Sequence, residues 1–150
     1  MNRIAQLDPQ TTTGPPKSLF EGVQGKLGVV PNLIRVLGNA PAALKGYLNF
    51  SAALADGSFS PKVREQIALA VAETNQCAYC LSAHSFIAGK LGLTQQDLTD
   101  ARPAAAADHR TDAILKLARS IVVQRGELGA TGLEQARHAG LTDGEIVETV

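Results

Sequence analysis

Apolar residues recur at helical spacing along this chain, and nowhere among its 150 residues does a run of alternating β-branched side chains read as a strand. That constraint points to an all-α fold. Aromatic residues make up only 4% of the sequence, so the core has to come from close helix-helix approach rather than from large rings. Small residues such as Ala52, Ala53, Ala68, Ala70 and Ala72 allow that approach, and they suit a compact bundle or a helical oligomer interface. The punctuation agrees. Pro31 and Pro61 stand where a first helical residue would stand, Ser60 and Thr94 are natural N-caps, and Asp56-Gly57, Gly89, Gly92 and Gly140 mark turns or helix ends. The predicted helices run over 17–26, 31–38, 41–55, 61–74, 77–90, 94–101, 109–125, 131–139 and from 143.

The length suits one domain with a single core. Residues 1–16 pass through TTTGPP, which opposes regular structure and predicts an extended arm, leaving 17–150 as the helical domain. Fourteen basic residues balance fourteen acidic ones, and no Lys/Arg cluster forms a phosphate-binding stripe, so nucleic acid is not an expected partner. MNRIAQLDPQ lacks the apolar run of a signal peptide, and no stretch approaches the roughly 18 apolar residues of a membrane span. A cytoplasmic protein with no membrane association is expected. Without a Gly-rich phosphate loop, and with few aromatics, no flavin or nucleotide cofactor is expected either. The ending is unusual: LTDGEIVETV starts a helix, with Thr142 as N-cap and Glu145 as the matching N3 carboxylate, and then stops. Such a short helix is marginal alone, so it docks on the body or on a partner chain, or the natural protein continues beyond Val150.

The only two cysteines lie in NQCAYCLSAH, as Cys77 and Cys80, with His84 four residues beyond the second. In a reducing compartment such a pair is more often catalytic or metal-binding than a staple, and a bridge across three residues closes too small a loop to stabilise much. With Asn75 as N-cap, Cys77 falls in the first turn of a helix, where backbone N–H groups and the helix dipole stabilise a thiolate. Cys80 follows one turn later. His84 then shares their face, and a neutral imidazole there can take a thiol proton. A zinc site needs further ligands, for which His109 and His138 are candidates, although neither sits in a second paired motif. His109 beside Asp108 and Arg110 reads more simply as the solvated start of a helix, and His138 before Gly140 as a cation at a helix C-terminus. Plain packing of two small cysteines in an Ala-rich helix is the remaining reading.

Two glutamates could accompany the dithiol. Glu73 precedes Cys77 by four residues, but the Thr74-Asn75 break separates them. Glu65 lies in a largely apolar helix, where a carboxylate facing inward needs a hydrogen-bond partner; its simple reading is a surface pair with Lys62.

Glu65, eleven residues, Cys77-Ala78-Tyr79-Cys80, three residues and His84 together resemble the Glu/CxxC/His arrangement of the alkylhydroperoxidase D-like branch of the carboxymuconolactone decarboxylase superfamily. The flanks VVPNLIRVLGNAP and SFSPKVREQIALAVAETNQCAYCLSAH are similar as well, and the likeness covers roughly residues 19–150. The resemblance implies an all-α alkylhydroperoxidase D-like bundle, truncated here because similar proteins continue past Val150 with another apolar helix. It also implies a homotrimer or larger homo-oligomer, and a peroxidase that draws on a thiol or dithiol reductant to reduce hydrogen peroxide or organic hydroperoxides. Under it, Cys80 attacks the peroxide, Cys77 resolves the sulfenic acid as a disulfide, and His84 with Glu65 relays the proton. Helix-dipole reasoning alone favours Cys77 as the attacker, whereas the one-turn spacing of His84 favours Cys80. Tyr79 departs from the family, which commonly has histidine there; a phenol is a poor base at neutral pH but donates a hydrogen bond. Lactone decarboxylation is the weaker implication, because decarboxylase members generally lack the CxxC. A zinc-binding or redox-sensing helical module without turnover is the alternative from another class.

Overall fold

A computed structural model describes residues 3–150, and among them it shows nine α-helices and no strand. The chain is all-α, as its spacing predicts, and it divides into two compact units that meet in sequence between Asp56 and Gly57.

The first unit holds α1 (Pro15–Leu27), α2 (Asn32–Leu37) and α3 (Pro41–Ala55). Phe20, Val23, Val30, Ile34 and Leu44 form its core, with Leu7 packed against them. Residues 3–14, before α1, are not helical. They are tied to α2 by Leu7, whose N–H donates to the Arg35 carbonyl at 3.2 Å and whose carbonyl accepts from Arg35 Nε at 2.8 Å. Gly38 has to be glycine, since a Cβ there would sit 2.5 Å from Cζ of the buried Phe20 ring. Pro31 is the N-cap of α2 rather than its first helical residue. Its fixed φ suits the flanking position as well as the first turn.

The second unit runs α4 (Pro61–Thr74), α5 (Ala78–Lys90), α6 (Gln95–Ala101), α7 (His109–Val123), α8 (Gly129–His138) and α9 (Asp143–Thr149). Helix α4 is central and packs against α5, α6 and α7. Its start follows from sequence: the Ser60 hydroxyl accepts from Val63 N–H at 3.3 Å, and Pro61 supplies the first turn without wasting a donor. Leu69 and Ala70 on α4 are fully buried against Ala88, Leu93, Ala101, Ala104 and Leu115. Of the alanines named from the sequence, Ala70 and Ala72 are buried in α4, whereas Ala52 and Ala53 on α3 are exposed. A second cluster of Phe59, Ile114, Leu117, Ala136, Leu141 and Ile146 joins α7, α8 and α9, and Ile67 packs on both.

The final helix docks on this unit. Thr142 and Glu145 form the predicted capping box, while Ile146 and Thr149 are buried. Glu148 accepts from the N–H and hydroxyl of Ser58 at 2.7 and 3.0 Å, which clasps α9 to the start of the unit. Glu145 also pairs with the Arg110 guanidinium across from α7.

The backbone N–H of Thr142 and then the Arg110 guanidinium hold the Glu145 carboxyl well below its usual 4.5, at about 2. The folded chain therefore binds this proton more weakly than the unfolded chain does. The stability it contributes is complete above about pH 5 and disappears as pH falls from 5 toward 2. Solvent reaches Arg110, so a loss on the order of 2 kcal/mol is expected. Urea midpoints measured at pH 7 and pH 3 should show that loss on top of those from Asp97, Asp108 and Asp112, whose carboxyls are also lowered by hydrogen bonds from Thr94, Thr111 and Lys116; Glu145→Gln should narrow the difference by about 2 kcal/mol, and an unchanged slope with pH would discount the Glu145–Arg110 pair.

Candidate functional site

The connection between α4 and α5 is three residues long, and its hydrogen bonds place the first cysteine. Asn75 ends α4 instead of starting α5. Gln76 adopts a left-handed conformation, φ 54°, and its N–H donates to the Glu73 carbonyl at 2.9 Å, while the Cys77 N–H donates to the Ala72 carbonyl at 2.9 Å. This pair of bonds is a Schellman turn, which satisfies the last carbonyls of α4. The predicted capping by Asn75 is thus corrected: Cys77 is itself the N-cap of α5, and its Sγ accepts from the Cys80 N–H at 3.2 Å. Asparagine is the commoner N-cap, but here the end of α4 takes it first. Gln76 is the positioning residue that sequence reasoning missed, because a left-handed position is usually marked by glycine or asparagine.

Cys77 and Cys80 are joined as a disulfide with their Cα atoms 5.3 Å apart. Two turns into α5, His84 reaches back to α4, where its Nδ1 lies 2.8 Å from Oε2 of Glu65. The Glu65 side chain is 16% exposed and that of His84 35%, so the carboxylate is shielded while the imidazole opens toward solvent. With the carboxylate as acceptor, Nδ1 carries the hydrogen of this bond, and in a neutral imidazole Nε2 then holds the lone pair. Glu65 is therefore not the surface partner of Lys62, whose ammonium instead donates to the Gly92 carbonyl at 3.1 Å. Tyr79 lies in the first turn of α5 and is 43% exposed.

The remaining candidates lie apart from this arrangement. Glu73 accepts from Arg102 at 2.6 Å on the surface. His109 opens α7 behind its N-cap Asp108, and His138 closes α8; both line a groove of about 580 Å³ between those helices. Among the described residues, no three His, Cys, Asp or Glu side chains gather into a set that could hold a metal ion. Nor is any described helix long and apolar enough to cross a membrane.

Fold and site together define a helical protein organised around a CxxC disulfide and a carboxylate-histidine pair on adjoining helices. The chain belongs to the Carboxymuconolactone decarboxylase family, whose sequence profile matches residues 41–124, and to its alkylhydroperoxidase D-like branch. It is similar to an uncharacterized peroxidase-related protein from Silicibacter sp. TM1040, at 26% identity and a TM-score of 0.81, over 99% of this chain and 84% of that one. It is equally similar to the alkylhydroperoxidase AhpD core of an uncharacterized peroxidase-related protein from Ralstonia eutropha JMP134, at 26% identity and a TM-score of 0.80, over 98% of this chain and 82% of that one. No match is found among curated proteins.

Proposed function

We propose that this chain is a thiol-dependent peroxidase acting on hydrogen peroxide or organic hydroperoxides. The observation that carries the reading is the 2.8 Å bond between Glu65 and His84, one helical turn beyond Cys80. In the reduced enzyme, His84 Nε2 takes the Cys80 thiol proton, and Glu65 at Nδ1 stabilises the imidazolium that results. The Cys80 thiolate attacks the terminal peroxide oxygen, the O–O bond breaks, and the leaving alkoxide takes the proton from His84. Cys80 is left as sulfenic acid. Cys77 then attacks that sulfur, hydroxide leaves and takes up the Cys77 proton as water, and the disulfide forms. Tyr79, in the first turn of the same helix, takes the role of hydrogen-bond donor to the peroxide in this reading. A thiol or dithiol reductant returns the pair to the reduced state. The exposed Phe50, at 67%, and Tyr47 on α3 support assembly as a homo-oligomer, and the protein is assigned to the cytoplasm on its thiol chemistry.

The test is a single turnover. Reduced protein freed of reductant receives one equivalent of cumene hydroperoxide, is quenched with an alkylating reagent and is weighed intact. Rapid loss of both alkylatable thiols, with a deficit of about 2 Da, is the expected result. Two thiols still alkylated after minutes would remove the peroxidase reading. Glu65→Gln should slow the same reaction about 10- to 100-fold while leaving the fold intact, because a neutral amide no longer stabilises the imidazolium. A full-rate variant would return Glu65 to a structural role.

A further inference from the structure

The two sulfurs of the disulfide are held differently. Cys77 occupies the N-cap of a thirteen-residue helix, with φ −90° and ψ 90°, and its Sγ already accepts the Cys80 N–H at 3.2 Å. A disulfide sulfur is a weak acceptor, whereas a thiolate in the same place makes a charge-assisted bond to that N–H at the positive end of the helix. No acidic residue sits in the first turn of α5 to oppose it. The charged groups of the helices packed on α5 each bond a partner other than Cys77, and one of them, Glu65, bonds a side chain of α5. On α4, Glu65 bonds His84, Glu73 bonds Arg102 just past α6, Lys62 holds the Gly92 carbonyl and Arg64 the Phe59 carbonyl. On α6, Asp97 closes its own capping box and Asp100 accepts from Gln96. Within α5 itself, the Lys90 ammonium lies over the Phe86 ring at the far end of the helix.

We propose that Cys77 is the sulfur that leaves when a thiol reductant opens the disulfide, so that the reductant is received on Cys80. The reductant thiolate forms a bond to Cys80 Sγ, the Cys77–Cys80 bond breaks, and its electron pair departs on Cys77 as a capped thiolate. A second reductant thiol gives its proton to His84 and attacks the reductant sulfur of the mixed disulfide; Cys80 is expelled and takes that proton from His84, while the Cys77 thiolate takes one from solvent. The reductant ends as a disulfide and the protein as a dithiol. The better leaving group departs faster in such exchange, which sets the direction of attack. This ordering rests on the peroxidase reading only for its place in a cycle; the asymmetry itself belongs to the helix cap. The cysteine that meets peroxide and the cysteine that meets reductant are then the same residue, and Cys77 is the internal thiol that alternately closes and releases.

Two measurements without peroxide test this. In Cys80→Ser the backbone N–H that caps Cys77 remains, and in Cys77→Ser the hydroxyl is itself a good N-cap, so both variants keep α5. Iodoacetamide alkylation followed against pH should give a midpoint for Cys77 at least about one pH unit below that for Cys80. Equal midpoints, or a lower one for Cys80 through His84, would overturn the proposal. Oxidised wild-type chain mixed with excess 2-mercaptoethanol, quenched in acid within seconds and mapped by peptide mass, should carry the adduct on Cys80; an adduct on Cys77 would also overturn it. Protein that shows this asymmetry but ignores cumene hydroperoxide would sustain the inference and dismiss the peroxidase reading alone.

Discussion

Serine in place of Cys80 should reduce peroxide consumption by about a thousandfold or more, to the level of buffer containing the reductant. A hydroxyl stays protonated at neutral pH even with His84 one turn away, and it cannot accept oxygen as a sulfenic acid can. The substitution is nearly isosteric on a half-buried helix position, so circular dichroism and urea midpoint should stay close to wild type. The assay is consumption of cumene hydroperoxide with excess dithiol, read against Cys77→Ser. The second variant should still complete one oxidation and then stall, since Cys80 has no internal partner to resolve it. Peroxide consumption at full rate in Cys80→Ser would end the case for this centre.

Truncating Leu69 to alanine should cost about 3 kcal/mol of stability. Leu69 has no exposure and is packed by Ala70, Ala88, Ala101 and Ala104 together with Leu93 and Leu115. Alanines have no side-chain length with which to move into the void, and the helix backbones that carry them are held by their own ladders, so the cavity should persist. Urea denaturation should show a lower midpoint with an unchanged slope. A loss under about 1 kcal/mol would mean that α4, α5 and α7 close around the gap more freely than their packing indicates. Leu69 lies one turn after Glu65 on α4, so the same variant also reports how far the carboxylate depends on a rigid helix.

Most helices were legible because their ends are marked chemically. Ser60 before Pro61, Thr94, and Thr142 with Glu145 each form the cap that their side chains announce. What governs the site was less visible. Asn75 looks like the start of α5, yet it ends α4, since a short connection lets one polar residue serve either helix and only the tertiary path decides. The left-handed turn at Gln76 carries no glycine to betray it. Glu65 and His84 are nineteen residues apart on different helices, a separation with no periodic signal; family resemblance suggested the pairing, whereas local reasoning assigned Glu65 to Lys62. Local chemistry writes boundaries into a sequence, while contacts between helices are written only in the packing.

The Cys77 amide is a donor inside the closing turn of α4, through its bond to the Ala72 carbonyl, while the Cys77 sulfur is the acceptor that opens α5. One residue therefore belongs to two helices at once. In amide hydrogen exchange, the last turn of α4 and the first turn of α5 should lose protection together, as one opening unit. Reduction of the disulfide leaves both of these hydrogen bonds available, one between backbone groups and one to the sulfur. Protection at Cys77 should then survive reduction nearly unchanged, and the dithiol would cycle between redox states on a backbone that does not unfold between them.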